Sequence, residues 1–278
     1  MNQPPAGSRK PSVSTIIAGI LMGILTTVTI IGGLTVLQAP DPITEEGENV
    51  TLLYQGTLWI SLFVFLLVSN GIIWAMFRYR RKNDDIPEQI HGSNILEFTW
   101  TVIPILILVG LFVPSTILVL DLKTPPDDDE VYLTVEAVGH QWWWEFIYPD
   151  GTRVQQSPPN YDNLTPPALV VPTDKTVVIK VRSTDVIHSF YVINTLYKVQ
   201  AIPGTVNSMH FKVKDEGVFY GQCYQFCGLR HSDMKFVLDA RSEADYLTWL
   251  RSQPKAPAPG ALTEQQPSAQ PVSSTEGQ

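Results

Sequence analysis

Apolar residues in this chain follow two rhythms. Up to residue 120 they come in unbroken runs. Residues 16–37, 57–77 and 102–120 carry no charged side chain, and at 22, 21 and 19 residues each is close to the ~20 that cross a bilayer as a helix. Beyond residue 130 the runs shorten and become rich in valine, isoleucine and aromatics: 131–137, 142–148, 176–181, 209–213, 218–221 and 236–240. Clusters such as Pro149-Asp150-Gly151 and Pro203-Gly204 divide them. Short strands punctuated in this way predict an all-β sandwich or Greek-key barrel. Ser242, three residues before Asp245, predicts a capping box that opens a short helix through Trp249 and Leu250.

The second and third runs predict a transmembrane helical hairpin joined by a polar, basic loop over residues 78–94. Pro104 and Pro114 fall inside the third run, which a membrane helix tolerates where neighbouring helices re-satisfy the freed carbonyls. A hairpin of two spans is expected to anchor the chain on a larger membrane subunit. The first run, preceded by Arg9 and Lys10, reads as either a retained anchor or a signal segment. Arg78, Arg80, Arg81 and Lys82 follow the second run, so the basic clusters lie on the cytoplasmic side and everything after residue 120 lies outside. The resulting division is an N-terminal anchor or signal over 1–40, the hairpin over 41–122, a β domain over 123–252 and a Pro/Ala/Gln-rich tail expected to be disordered over 253–278.

Composition narrows the possibilities. With 44% apolar residues, 17% charged and only two cysteines in 278 residues, the chain is neither a disordered protein nor a disulfide scaffold. From Asp121 onward 19 acidic residues face 13 basic ones, which argues against nucleic acid and for a cationic partner.

The chemistry concentrates near the end of the β domain. In Cys223-Tyr224-Gln225-Phe226-Cys227-Gly228-Leu229-Arg230-His231-Ser232-Asp233-Met234, two thiols, an imidazole and a thioether fall within twelve residues. That donor set suits a soft or borderline metal, copper before others. A disulfide between the two cysteines is the first alternative, since an outer location permits it, but it gives His231 and Met234 no task. Zinc is the second, although structural zinc rarely uses a thioether. His188, just after the predicted strand 176–181, is a further candidate ligand that a sandwich could bring to the cysteine loop.

The cysteine loop, the upstream Asp185-Val186-Ile187-His188-Ser189-Phe190, the run Gly139-His140-Gln141-Trp142-Trp143-Trp144, and Leu96-Glu97-x-x-Trp100-Thr101-x-x-Pro104 in the hairpin together resemble subunit II of the haem–copper cytochrome c oxidases. The resemblance covers roughly residues 57–250 and implies a membrane-anchored, all-β, cupredoxin-like domain that holds two copper ions in a dinuclear CuA centre. It implies Cys223 and Cys227 as bridging thiolates, His188 and His231 as one imidazole per copper, and Met234 and the backbone carbonyl of Gln225 as weak axial ligands. Trp142 would be where electrons enter, while Trp144 is expected to pack in the sheet, sharing a face with Trp142. Glu97 would stand at the mouth of a proton pathway, although a carboxylate there also simply complements a helix N-terminus.

The implied function is the electron-input subunit of an aerobic respiratory oxidase in a prokaryotic plasma membrane, with the β domain on the outer face. Cytochrome c or a small blue copper protein would be the donor. Partners would be the haem-bearing subunit I and subunit III, among membrane lipid and without nucleic acid. None of the five histidines lies in the three apolar runs, so this chain is not expected to hold haem. A membrane-anchored copper-delivery or thiol-redox factor is disfavoured by the lack of alternating helices. A copper-free quinol oxidase subunit is disfavoured by the ligands retained, and a blue-copper carrier by the second cysteine. Two departures from the family pattern matter. Gln225 replaces a frequent glutamate, and Lys198-Val199-Gln200-Ala201-Ile202-Pro203-Gly204-Thr205 lacks the family's acid and arginine, which puts an interfacial magnesium site in doubt.

Overall fold

The computed structural model describes residues 12–81, 89, 92–155 and 165–255. Three long helices come first: α1 (Val13–Thr35), α2 (Glu45–Arg78) and α3 (Asn94–Lys123). All three are long and apolar enough to span a membrane. The apolar side chains point outward all round, with Leu67 63% and Phe98 69% exposed, as suits helices solvated by lipid or by other subunits. The side chain of Thr44 caps α2 by accepting from Gly47 N at 3.0 Å, and Glu45, Glu46 and Glu48 complement the positive end of its dipole. Pro104 and Pro114 both lie inside α3, which continues past them. Helices α1 and α2 meet where Gly33 lets Leu62 and Trp59 approach, and Asn70 Nδ2 donates to Thr26 Oγ1 at 3.3 Å. Arg9, Lys10, Lys82, His91 and the tail from residue 256 lie outside the described residues.

Among the described residues the β domain contains ten strands: β1 (Val131–His140), β2 (Trp143–Ile147), β3 (Arg153–Gln155), β4 (Ala168–Pro172), β5 (Thr176–Ser183), β6 (His188–Val192), β7 (Val199–Ala201), β8 (Asn207–Lys212), β9 (Gly217–Cys223) and β10 (Lys235–Arg241). They form two five-stranded sheets, ordered β3-β2-β1-β5-β8 and β4-β10-β9-β6-β7. Pairing is antiparallel except for β1 with β5 and β4 with β10. This is the sandwich expected from the turn spacing. A last helix, α4 (Glu243–Ser252), begins at Ser242, whose hydroxyl accepts from Asp245 N at 3.2 Å as the capping box requires.

Trp144 and Phe146 from one sheet meet Phe190 and Phe236 from the other, all fully buried. Phe190 stacks on Phe236 at 4.5 Å between ring centroids, and Trp144 stands edge-on to both. Edge-to-face and offset stacking add about 0.5–1.5 kcal/mol per pair beyond the area buried. The chain entering α2 is strapped to this domain: Ile43 N donates to Asn194 O, Lys214 N donates to Ile43 O, and Lys214 pairs with Glu48 at 2.7 Å.

Candidate metal centre

The connection between β9 and β10 carries most of the candidate site. Cys223 is the last residue of β9 and Met234 immediately precedes β10, and Cys223 N donates to Met234 O at 2.9 Å, closing the base of the loop. Cys227 lies inside the loop, and His231 opens a single 3₁₀ turn that returns the chain to β10. His188 is the first residue of β6, which pairs with β9 in a register that sets Phe190 opposite Cys223. His188 thus stands at a strand end facing the later cysteine loop, and the strand it opens aims the imidazole across the sheet at the cysteines.

The sequence-predicted ligands come together. The two sulfurs are 3.9 Å apart. Nδ1 of His188 is 3.9 Å from the Cys223 sulfur, and Nδ1 of His231 is 3.5 Å from the Cys227 sulfur. The Met234 thioether is 4.0 Å from Cys227, and the Gln225 carbonyl oxygen is 3.2 Å from Cys223. His188 and Met234 are fully buried, and Cys223 and Cys227 nearly so. Both cysteines are free thiols, their separation being almost twice the ~2.05 Å of a disulfide.

Burial alone would raise the Cys223 thiol, but His188 and the neighbouring backbone outweigh it and hold this thiol below its ordinary value. Burial and the adjacent Cys223 push Cys227 up to about 12. Cys223 is therefore the more easily ionised of the two thiols, and a cation between the sulfurs would favour ionisation of the second. Two thiols, two imidazoles, a thioether and a carbonyl fit copper, whereas a four-coordinate zinc site would leave the last two without a role.

Trp142 occupies the turn between β1 and β2 rather than a strand, so it does not share a sheet face with Trp144. The expectation of a strand from residue 142 fails because the chain reverses there and β2 starts one residue later. The half-buried indole donates from Nε1 to the Cys227 carbonyl at 3.2 Å, and the side-chain amide of Gln141 donates to the same oxygen at 2.8 Å. Trp144 packs in the core, as expected. Glu97 lies exposed in the first turn of α3, apart from this cluster. His140 stacks on Trp143 at 4.0 Å with Thr184 on its Nδ1, and His210 lies in β8; neither joins the sulfurs.

Asp185, quoted above only as part of the motif around His188, has a role that the sequence reading did not assign. One of its oxygens faces His188 Nε2 at 2.8 Å, and the other accepts from Gln141 N at 2.7 Å. The signal was present in the three-residue spacing of Asp185-Val186-Ile187-His188. A carboxylate on the far nitrogen turns the Nδ1 of a ligating histidine toward the metal.

Anchoring helices, sandwich and sulfur–imidazole cluster define a membrane-bound metalloprotein of the cupredoxin type. Residues 133–241 match the family described as cytochrome C oxidase subunit II, periplasmic domain, and residues 31–118 match its transmembrane domain. A probable cytochrome c oxidase subunit 2 of Rickettsia bellii is 33% identical over 79% of this chain and 83% of its own length. Cytochrome c oxidase subunit 2 of Alkalihalophilus pseudofirmus is 35% identical over 77% and 61%. The periplasmic domain of subunit II from Bradyrhizobium japonicum is 31% identical and covers 44% of this chain and 93% of its own, with a TM-score of 0.39. The chain belongs to the cytochrome c oxidase subunit II family and is the electron-input subunit of a haem–copper terminal oxidase. It is a membrane protein with its β domain on the outer face, associated with the other oxidase subunits.

Proposed function

We propose that the cluster is a dinuclear CuA centre that takes single electrons from a soluble donor and passes them to haem in subunit I. The carrying observation is that two thiols 3.9 Å apart each have their own imidazole Nδ1, at 3.9 and 3.5 Å. Cys223, Cys227, His188 and His231 would hold the two ions, with weaker help from the Met234 thioether and the Gln225 carbonyl. When bound, copper would supply a one-electron carrier whose charge is shared between two metals and two sulfurs. The residues do the rest. Buried sandwich walls hold the ligands still and keep water out, so little rearrangement accompanies a change of charge. Asp185 fixes the tautomer of His188. Trp142 receives the electron on the outer side of the loop, a role supported by its indole hydrogen bond to the backbone of a bridging cysteine.

The donor would be cytochrome c or a small blue copper protein, oriented by the excess of acidic residues beyond residue 120. Subunit III would complete the complex in a prokaryotic plasma membrane. Glu97 would stand at the entrance of a proton pathway, at the cytoplasmic end of α3. We keep the division at residues 40, 122 and 252 into anchor or signal, hairpin, copper domain and tail, and assign no metal besides copper, because Gln225 cannot offer a side-chain carboxylate to magnesium.

Electron paramagnetic resonance of the purified oxidase tests this reading. A seven-line hyperfine pattern, with two coppers per chain beyond those of subunit I, is expected. Four lines would mean a single copper. Silence with a formed disulfide would favour a thiol-redox factor. Stoichiometric, tightly held magnesium or manganese would contradict the assignment of copper alone.

A further inference from the structure

Three separate pieces of chain build the centre: the β1–β2 turn with Trp142, the start of β6 with His188, and the β9–β10 loop with both cysteines. None is bonded to another along the sequence, so something must set their mutual positions. Gln141 touches the other two, though it is an exposed residue. Its side-chain amide donates to the Cys227 carbonyl at 2.8 Å, the oxygen that also receives the Trp142 indole at 3.2 Å. Its backbone N–H donates at 2.7 Å to one oxygen of Asp185, whose other oxygen holds His188 Nε2 at 2.8 Å. Asp185 is itself fixed by Val186 N at 2.6 Å.

We propose that Gln141 is a positioning residue: clamped between the Asp185 carboxylate and the Cys227 carbonyl, it sets the Trp142 turn and the cysteine loop in one hydrogen-bonded frame with His188. The inference deepens the copper reading and rests on it. The physical reason lies in the acceptors. A carbonyl with two lone pairs takes both Gln141 and Trp142, and a carboxylate with two oxygens serves a main-chain N–H and an imidazole N–H together. Bonds to the charged carboxylate are the stronger ones, so the Asp185 end is the fixed end. Without the amide, the Cys227 carbonyl would keep only the longer indole bond, and the turn could slide over the loop.

The test uses the purified full oxidase with Gln141→Met, which keeps chain length and removes the amide, beside Asp185→Asn, whose single carbonyl oxygen can serve only one of the two donors. Outer partners of metal ligands are typically worth about 10- to 100-fold. For Gln141→Met we expect kcat for donor oxidation to fall about tenfold with KM unchanged, and an altered copper hyperfine pattern. Hydrogen exchange across residues 139–144 of the metal-free full chain should also accelerate. Asp185→Asn should move the hyperfine pattern in the same direction. Native hyperfine, native exchange and native kcat in Gln141→Met would overturn the proposal. So would a raised KM alone, which would make Gln141 a donor contact. Trp142→Phe distinguishes the two ideas: unchanged turnover there removes the route through Trp142, while the frame still stands or falls on the hyperfine and exchange of the Gln141 variant.

Discussion

Gly228 follows Cys227 directly and sits at φ +122, a backbone conformation that side-chain-bearing residues rarely adopt. A Cβ added there would lie 3.2 Å from Nε1 and Cζ2 of Trp142 and 3.4 Å from the Gln141 amide nitrogen. Gly228→Ala therefore meets two costs. Holding alanine in this region costs about 1–3 kcal/mol. The indole can retreat only by stretching its bond to the Cys227 carbonyl, and a bond of that kind contributes about 0.5–1.5 kcal/mol. A combined effect near 2–3 kcal/mol is expected, roughly thirty- to a hundred-and-fifty-fold in the population of the native loop. Gly204→Ala separates the two causes, because Gly204 also has a positive φ, +75, but an added Cβ meets nothing within 4 Å. That variant should lose about 1 kcal/mol of stability and leave the centre untouched.

Copper retention during a chelator challenge, followed by electron paramagnetic resonance with thermal unfolding alongside, reads both quantities on the assembled oxidase. Gly228→Ala should release copper at least tenfold faster and distort the hyperfine pattern, with Gly204→Ala matching wild type in both. Equal behaviour of the two alanine variants would refute the reasoning, since it would leave backbone strain as the whole effect and the close approach to Trp142 as irrelevant.

Met234→Leu conserves volume in a fully buried position and should cost under about 1.5 kcal/mol; metal content stays native while the reduction potential moves, and outright copper loss would show that the thioether is no weak ligand. Glu145 is held below the ordinary carboxylate range first by His140, whose Nε2 lies 3.5 Å away, and then by Arg153 at 2.6 Å, against the opposing effect of burial. Because the folded value is the lower one, this stabilisation is complete at neutral pH and disappears as pH falls through the folded value. Glu145→Gln should lower stability by about 1–2 kcal/mol at pH 7, discounted for the half-exposed Arg153, and the gap in melting temperature should close below about pH 4. A gap that persists at pH 3 would show that packing rather than charge is at work. Glu97→Ala should slow proton-coupled turnover and leave the copper spectrum intact; unchanged turnover would return Glu97 to the role of a helix-end charge.

Much of this architecture was legible in residue order. The apolar runs locate the three long helices, because backbone groups in lipid must be satisfied within the segment and length alone then speaks. The alternating stretches locate β1, β2, β5, β8, β9 and β10 to within a few residues. What escaped were β3, β4, β6 and β7. Two of these are three-residue edge strands with too little pattern to notice. In β4, Ala-Leu-Val-Val-Pro is buried on both faces and so does not alternate. In β6 the first residue is a histidine whose place is decided by the cysteines it faces, a tertiary cause that no local periodicity reports. The donor set of the centre was likewise readable from types and spacing. The frame behind it was not, because Gln141 and Asp185 are 44 residues apart and Gln141 and Cys227 are 86 apart.

The same strands explain how a rigid centre and an exposed, unpacked loop surface coexist in one domain. Most of the candidate ligands sit at or just beyond a strand end, and the neighbouring strand residue is committed to the core. Phe190 lies two residues after His188, Phe236 lies two residues after Met234, and the two rings stack on each other at 4.5 Å. Trp144 then rests its edge on both rings and on His188, at 6.2 Å between centroids. Moving His188 or Met234 outward would drag an aromatic ring through a close-packed layer, where loss of even one methylene's fit is felt. The outer side of the loop has no such obligation. Phe226, between buried Cys223 and Cys227, is 77% exposed, and Leu229, between buried Cys227 and Met234, is 89% exposed, so side chains there can differ with whatever partner faces them while the sulfur geometry stays fixed.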